Sequence, residues 1–286
     1  MPEGDTIFRA AAMMHRALAG RSVRAFESPL PPLARFAEDH RLTGRAIEGV
    51  EARGKYLLVR FSGDLTLLTH MRMNGSWHLY RPGERWKRPR SHMRARIITD
   101  EYEAVGFGLP VAEFHDARSL ARSERLRSLG PDPLSEAFDA RDAAARLKSA
   151  GDVPIEEAIL DQRRIAGVGN VLKSEALFIA GIHPYATASA IPDAAIVRLV
   201  EVCERLLHDN VIGLSARAPI AIRSAARVTT RSANPAAHLY VYGNAGKPCR
   251  KCGTPILYRR SGQHARSTYW CPKCQTVGAA DQQTTR

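Results

Sequence analysis

Two Cys-x-x-Cys pairs near the C-terminus constrain this chain more than any other feature. Cys249-x-x-Cys252 is followed, after 18 residues, by Cys271-x-x-Cys274. Each pair bends a tight turn around one side of an ion, and four thiolates at this spacing suit a tetrahedral zinc. Gly253 and Pro272 stand where those two knuckles turn. Protein fills all four positions, so the expected Zn2+ is single and structural, with no open coordination site for catalysis. Between the pairs lie Tyr258, Arg259, Arg260, His264, Arg266, Tyr269 and Trp270, a mixture of cations and aromatics suited to a hairpin laid against phosphates. The fifth cysteine, Cys203, falls on a helical stripe with Ile196, Leu199, Leu206 and Leu207 and reads as a buried core residue.

The rest of the composition agrees with a polyanionic partner. A net charge of +13 over 286 residues favours nucleic acid, because each phosphate neutralised by Lys or Arg releases a counterion. No stretch approaches the run of about 18 apolar residues needed to span a membrane. The start, MPEGDTIFRAA, lacks a basic-then-apolar signal. A cytoplasmic monomer is expected, free in the cytosol or at the nucleoid. Reduced thiols there argue for metal and core cysteines rather than disulfides.

Texture divides the chain. Residues 5 to 18 have helical spacing through Ile7, Ala11, Met14 and Leu18, with Asp5 and Thr6 as cap-type residues and Gly20 as the stop. From about 22 to 115, short runs rich in β-branched, aromatic and aliphatic residues are separated by turn signals at Gly63-Asp64 and Asn74-Gly75 and by Pro82-Gly83. These runs, Tyr56 to Phe61, Leu65 to His70, Arg94 to Ile98 and Val111 to Phe114, predict a mostly antiparallel β domain behind one helix. Beyond the punctuated segment 129–135 the pattern is helical over Ala137 to Ser149, Ile155 to Leu160, Val171 to Ala180 and Pro192 to Val211. Residues 214–237 read as a long, mobile loop, and Ala279 to Arg286 as a loose tail.

Residues 2 to 6 read Pro-Glu-Gly-Asp-Thr. Met1 precedes a small residue, and its removal would leave Pro2 as a free secondary amine. Such an amine can attack a sugar C1′ and form an iminium, as lysine does in Schiff-base enzymes. An α-amino group titrates near 7.7–8.0 in model peptides and a lysine near 10.4, so the terminal amine offers far more neutral nucleophile at physiological pH. Glu3 is adjacent and suited to proton transfer. Alone this opening is weak, since many chains begin Met-Pro-Glu by chance.

Five segments in order strengthen it: PEGDT, ARGKYLLVRF, DQRRIAGVGNVLKSEALFIAGIHP, LYVYGNAGKPCRKCG and RSTYWCPKCQ. Together they resemble the formamidopyrimidine-DNA glycosylase/endonuclease VIII family over essentially the whole chain short of the tail, and Gly4 favours the endonuclease VIII-like branch. The resemblance implies an α+β fold: an N-terminal antiparallel β-sandwich with the active-site helix at its start (1–128), a linker (129–135), a helical helix-two-turn-helix DNA-binding domain (136–238), a zinc finger (239–276) and a tail (277–286). It implies DNA lying across the cleft between domains, with the damaged nucleotide flipped out. It makes Pro2 the nucleophile, Glu3 the acid/base group and Lys55 a DNA contact that assists catalysis. The lysine stands beside Gly54, in a turn that would project it. Asn170, opening a helix after Gly167-Val168-Gly169, and Arg266 would grip phosphates. Met73 would intercalate, with a strand-end core methionine as the alternative, and Arg118 and Leu120 would form the second wedge loop. Glu175 matches an acidic position of the endonuclease VIII-like members, a solvated helix charge being its other reading.

Departures from the family pattern bear on substrate. Many relatives carry glutamate where this chain has Thr6. The wedge loop HDARSLAR lacks the Pro-Arg-Arg-Phe pattern of the formamidopyrimidine branch. The expectation is therefore a bifunctional glycosylase and abasic-site lyase that removes oxidised pyrimidines and completes β,δ-elimination. Formamidopyrimidine or 8-oxoguanine specificity is the alternative on the same scaffold. A non-catalytic zinc-ribbon binder would explain the cysteines and charge but not the pairing of PEGDT with Lys55. A zinc hydrolase conflicts with the all-cysteine site.

Overall fold

The computed structural model describes residues 2–211, 227–230, 232–262 and 265–276. Helix α1 (Gly4–Leu18) buries Ile7, Ala10, Ala11, Met14, Ala17 and Leu18, an apolar stripe at three- and four-residue spacing. It stops at Gly20, whose φ of +78° is cheap only without a Cβ. That stripe lies on β2 (Ile47–Arg53) and β3 (Tyr56–Phe61).

Two four-stranded antiparallel sheets enclose the core of this unit. One runs β1 (Ala25–Glu27), β6 (Met93–Ile98), β7 (Glu103–Phe107), β5 (Ser76–Tyr80). The other runs β2, β3, β4 (Leu65–His70), β8 (Val111–His115). Strand alternation explains the packing. Leu57, Val59, Phe61, Leu65 and Leu67 point inward with Trp77, Ala95, Ile97 and Ala104 from the opposite sheet. Leu58, Leu68 and Val111 point the other way and form a second apolar patch, covered by Leu120 and Leu126. These two belong to short helices α3 (Ala117–Ala121) and α4 (Glu124–Arg127), and the cover explains why β4 is buried on both faces.

The described residues divide into two units, the first holding the chain up to Arg127 together with Val211, the second Ser128–Asn210 and the described residues after 226. The second has its own core, built from α5 (Ala140–Lys148), α6 (Ile155–Ala158), α7 (Asn170–Ala180) and α8 (Asp193–Val211). Cys203 is fully buried there. The hairpin of β9 (Leu257–Ser261) and β10 (Arg266–Trp270) completes it.

Several local expectations are corrected. The residue preceding the first turn of α1 is Glu3, with no side-chain cap; Asp5 is already helical and accepts from the backbone and hydroxyl of Thr6. A helix α2 (Pro31–Asp39) interrupts the β region, with proline at its first turn, where a missing N–H costs nothing. The helix expected from Ala137 begins at Ala140, because the Asp139 carboxylate caps it by accepting from Arg141 and Asp142. Of the expected loop 214–237, residues 214–226 and 231 lie outside the described residues, as does the tail 279–286. The part that is described is pinned, not loose. Val228 exchanges hydrogen bonds with Asn210, and Thr229 N–H donates to the His238 carbonyl at 2.8 Å.

Candidate functional site

The first unit brings the expected chemistry to the start of α1. Pro2 is half-buried and Glu3 fully buried. The Glu3 carbonyl accepts from Thr6 and Ile7, so the helix begins at once and the positive end of its dipole lies here. Asp5 is also fully buried, with Arg9 at 4.0 Å one turn on.

Lys55 follows Gly54, whose φ is +56°, in the turn from β2 to β3. Register places Tyr56 opposite His70, which the sequence had not singled out. Burial, and then Lys55, Arg72 and Arg125, push the His70 imidazole down to about 4. Its Nδ1 accepts from the Arg72 amide at 2.8 Å, so the proton of the neutral ring sits on Nε2.

The following turn separates two methionines. Met71 is buried in the core, whereas Met73 is 63% exposed. Gly75 donates to the Met71 carbonyl at 2.8 Å, and a Cβ on Gly75 would come within 2.5 Å of that same oxygen. The tight turn therefore requires glycine there and pushes Met73 outward, which removes the core alternative for it. Arg118 is exposed on α3. Leu120 follows on the same helix, its side chain packed, half-buried, on Leu58, Leu68 and Val111.

In the second unit, Gly167 (φ +82°) and Gly169 lead into α7, which opens on Asn170. The Asn170 amide donates to the Ser267 carbonyl at 2.9 Å and hydroxyl at 3.0 Å, while its buried Oδ1 has no partner among the described residues. Asn170 thus ties the helix start to β10, where Arg266 is the adjacent, half-buried residue.

One turn further, α7 carries a fully buried Lys173 whose ammonium meets Glu156 at 2.9 Å and the Thr268 hydroxyl at 2.7 Å. Glu156 also accepts from Ser261 at 2.7 Å and Thr268 at 3.0 Å. This charged cluster fastens both hairpin strands to the helices. Glu175 is not a solvated helix charge: it is fully buried. Its carboxylate accepts from the backbone of Tyr240, Val241 and Tyr242, each at 2.8 Å, and from the Thr229 hydroxyl. Burial holds its carboxyl above the ordinary range against the pull of those donors.

The Sγ atoms of Cys249, Cys252, Cys271 and Cys274 all lie within 4.8 Å of one another. The Cys249–Cys274 and Cys252–Cys271 separations are 3.9 and 3.4 Å. A tetrahedron of sulfurs about 2.3 Å from zinc has edges of about 3.8 Å, so the site fits one zinc ion. The Cys249 carbonyl accepts from Gly253 (φ +76°) and the Cys271 carbonyl from Gln275, closing both knuckles. Gln275 also donates to the Ile182 carbonyl at 2.8 Å, joining the second knuckle to the end of α7. The finger's own buried cluster is small (Phe178, Val241, Ile256 and two of the cysteines), too little to hold the hairpin without metal. The zinc is structural.

Among the described residues no helix is long and apolar enough to cross a membrane. Three family signatures match the chain. The formamidopyrimidine-DNA glycosylase N-terminal domain covers residues 1–123, the formamidopyrimidine-DNA glycosylase H2TH domain 129–217, and a zinc finger found in FPG and IleRS 246–277. The probable endonuclease 8 2 of Streptomyces coelicolor is 37% identical over 278 residues, spanning 96% of this chain and 94% of that protein. A protein of Mycolicibacterium smegmatis described as DNA-(apurinic or apyrimidinic site) lyase Nei2 is 36% identical over 97% of this chain and all of its own length. The fold is shared with Lactococcus lactis Fpg, solved with DNA containing an abasic site, at a TM-score of 0.80 and 24% identity over 96% of this chain and 100% of that one. The chain belongs to the formamidopyrimidine-DNA glycosylase/endonuclease VIII family, in its endonuclease VIII-like branch.

Proposed function

We propose that this chain is a DNA glycosylase and abasic-site lyase of base excision repair, acting as a monomer on oxidised bases, pyrimidines foremost. One observation carries the reading: Pro2 and a fully buried Glu3 stand together at the start of α1 in a chain of this family. With Met1 removed, the positive end of the α1 dipole favours a neutral amine over an ammonium at Pro2. That amine attacks C1′ of the flipped nucleotide. The N–C1′ bond forms, the glycosidic bond breaks, and the base leaves with a proton. Glu3 protonates the ring oxygen as the sugar opens to an iminium. Loss of the C2′ proton then breaks the C3′–O bond, and a second elimination breaks C5′–O. Water hydrolyses the iminium and frees Pro2, leaving a one-nucleotide gap with phosphate ends.

Other residues divide the holding of DNA. In the N-terminal domain (1–128), Lys55 supplies a charge for a phosphate, and His70 a neutral Nε2–H donor beside it. In the helical domain (136–238) and finger (239–276), Asn170 and Arg266 grip the backbone. Asn170 does so by releasing the Ser267 hydroxyl it holds in the free protein. Arg118 is exposed beside the packed Leu120 and supports the opposite strand.

The segment His115 to Arg122, after β8 and through α3, lacks the Pro-Arg-Arg-Phe pattern, which favours pyrimidine over purine lesions. Oligonucleotides each carrying one defined lesion test this. Oxidised pyrimidines are expected to be excised faster than 8-oxoguanine, and the reverse order would assign the chain to purine repair.

The exposure of Met73 supports its role as the wedge that fills the gap left by the flipped nucleotide. A preformed abasic site needs less of that help, since unstacking a base costs a few kcal/mol. Met73→Ala should therefore slow excision from duplex far more than strand cleavage at an abasic site, with an unchanged melting temperature. Equal losses in both activities would argue against a wedge.

A further inference from the structure

The loop from Arg81 to His92, between β5 and β6, carries Arg81, Arg85, Lys87, Arg88 and Arg90 against a single acid, Glu84. Such a run is commonly a solvated face, yet this one is held in place at three points. Trp86 is half-buried, stacked on Tyr80 at 6.3 Å and edge-on to Phe107 at 5.6 Å, with the guanidinium groups of Arg90 and Arg96 over its ring. The Lys87 amide donates to the Tyr80 hydroxyl at 3.0 Å. Arg88 donates to the Asn74 carbonyl at 2.9 Å and to the Ser76 hydroxyl at 3.0 Å. Asn74 follows Met73, so the loop is tied directly to the turn that presents the exposed methionine.

The cations of this loop are not all used internally. Arg81 lies over the Tyr102 ring and pairs with Glu101 at 3.6 Å. Arg90 reaches Glu27 at 3.7 Å. Arg88 is spent on the turn. Arg85 and Lys87 are exposed, and neither has an acidic partner among the described residues. Two unneutralised cations on an anchored loop, beside an exposed apolar side chain, match a partner that is both polyanionic and able to accept a wedge.

We infer that this loop is an additional DNA-contacting surface, in which Arg85 and Lys87 each take a backbone phosphate flanking the nucleotide displaced at Met73. The inference rests on the glycosylase reading and adds to it a surface outside the expected contact residues. Because Trp86 and the Arg88 tether order the loop beforehand, little entropy is lost when the cations engage phosphate.

The test uses the full-length zinc-loaded protein and duplex DNA carrying a non-cleavable abasic analogue, with affinity measured across a salt series. The Arg85→Ala/Lys87→Ala double variant should bind more weakly and lower the log–log salt slope by about two phosphates' worth, roughly 0.9 per contact. Its melting temperature and its single-turnover cleavage rate at saturating DNA should match wild type. Arg85→Lys/Lys87→Arg, which keeps both charges, should retain the wild-type slope. An unchanged slope and affinity in the alanine variant, with wild-type protein binding normally, would overturn this inference alone. Failure of the wild-type protein to bind this DNA would overturn the glycosylase reading and the inference with it.

Discussion

Glu3→Gln is expected to lower base excision by at least about 100-fold, the lower end of what a positioned general acid or base contributes. Affinity for uncleaved DNA should stay near wild type. Glutamine keeps the size of the side chain and one carbonyl acceptor, so the fully buried position can still be filled. It cannot deliver or receive a proton at the ring oxygen or C2′. The phosphate grips assigned to Lys55, His70, Asn170 and Arg266 are untouched by the change, so binding and chemistry should separate. Single-turnover excision alongside equilibrium binding checks this. Excision at the wild-type rate would remove Glu3 from the mechanism.

The second large effect belongs to the buried pair in the other unit. Lys173→Met should destabilise that unit by about 3–5 kcal/mol, the usual cost of leaving one member of a buried ion pair without its partner. Glu156 would keep its bonds from Ser261 and Thr268 but lose the Lys173 charge that offsets its desolvation there. Adding Glu156→Gln in the same chain should recover most of the loss, because a neutral amide is far cheaper to bury than a carboxylate. Denaturant melts of the zinc-loaded single and double variants give the comparison. A neutral Lys173→Met, or a double variant no better than the single, would mean that the pair does not hold the hairpin.

The contrast between these two sites shows what a linear sequence carries. The zinc ligands were legible because each knuckle is local: two cysteines and the turn between them lie within four residues. The β-strands from Tyr56 to His70 were legible for the same reason, since two runs of aliphatic, aromatic and β-branched residues and the Gly63-Asp64 turn between them sit in one short window. Lys173 and Glu156 were not, because they lie 17 residues apart, their hairpin partners lie 95 to 112 residues away, and an isolated charge on a helix reads as solvated. The burial of Glu175 was hidden in the same way, its four donors arriving from residues 54 to 67 positions later. The exposure of Met73 and the burial of Met71 could not be separated by composition. They are set by the close approach of Gly75 to the Met71 carbonyl, which is a backbone fact. Helix α2 was hidden by its prolines and by the strand-like texture around it, although proline at a helix start is itself a signal. Leu120 was matched to a wedge loop by resemblance, which did not show its packing on the outer face of the β2–β3–β4–β8 sheet.

The central claim is that the terminal amine of Pro2 performs the chemistry, and trapping with borohydride addresses it directly. The protein is incubated with DNA containing an abasic site, reduced, digested and mapped by mass spectrometry. The reduced sugar adduct should lie on Pro2 of a peptide lacking Met1, and an extra residue placed ahead of Pro2 should abolish it. An adduct formed in full yield on an internal lysine, Lys55 included, would contradict the account.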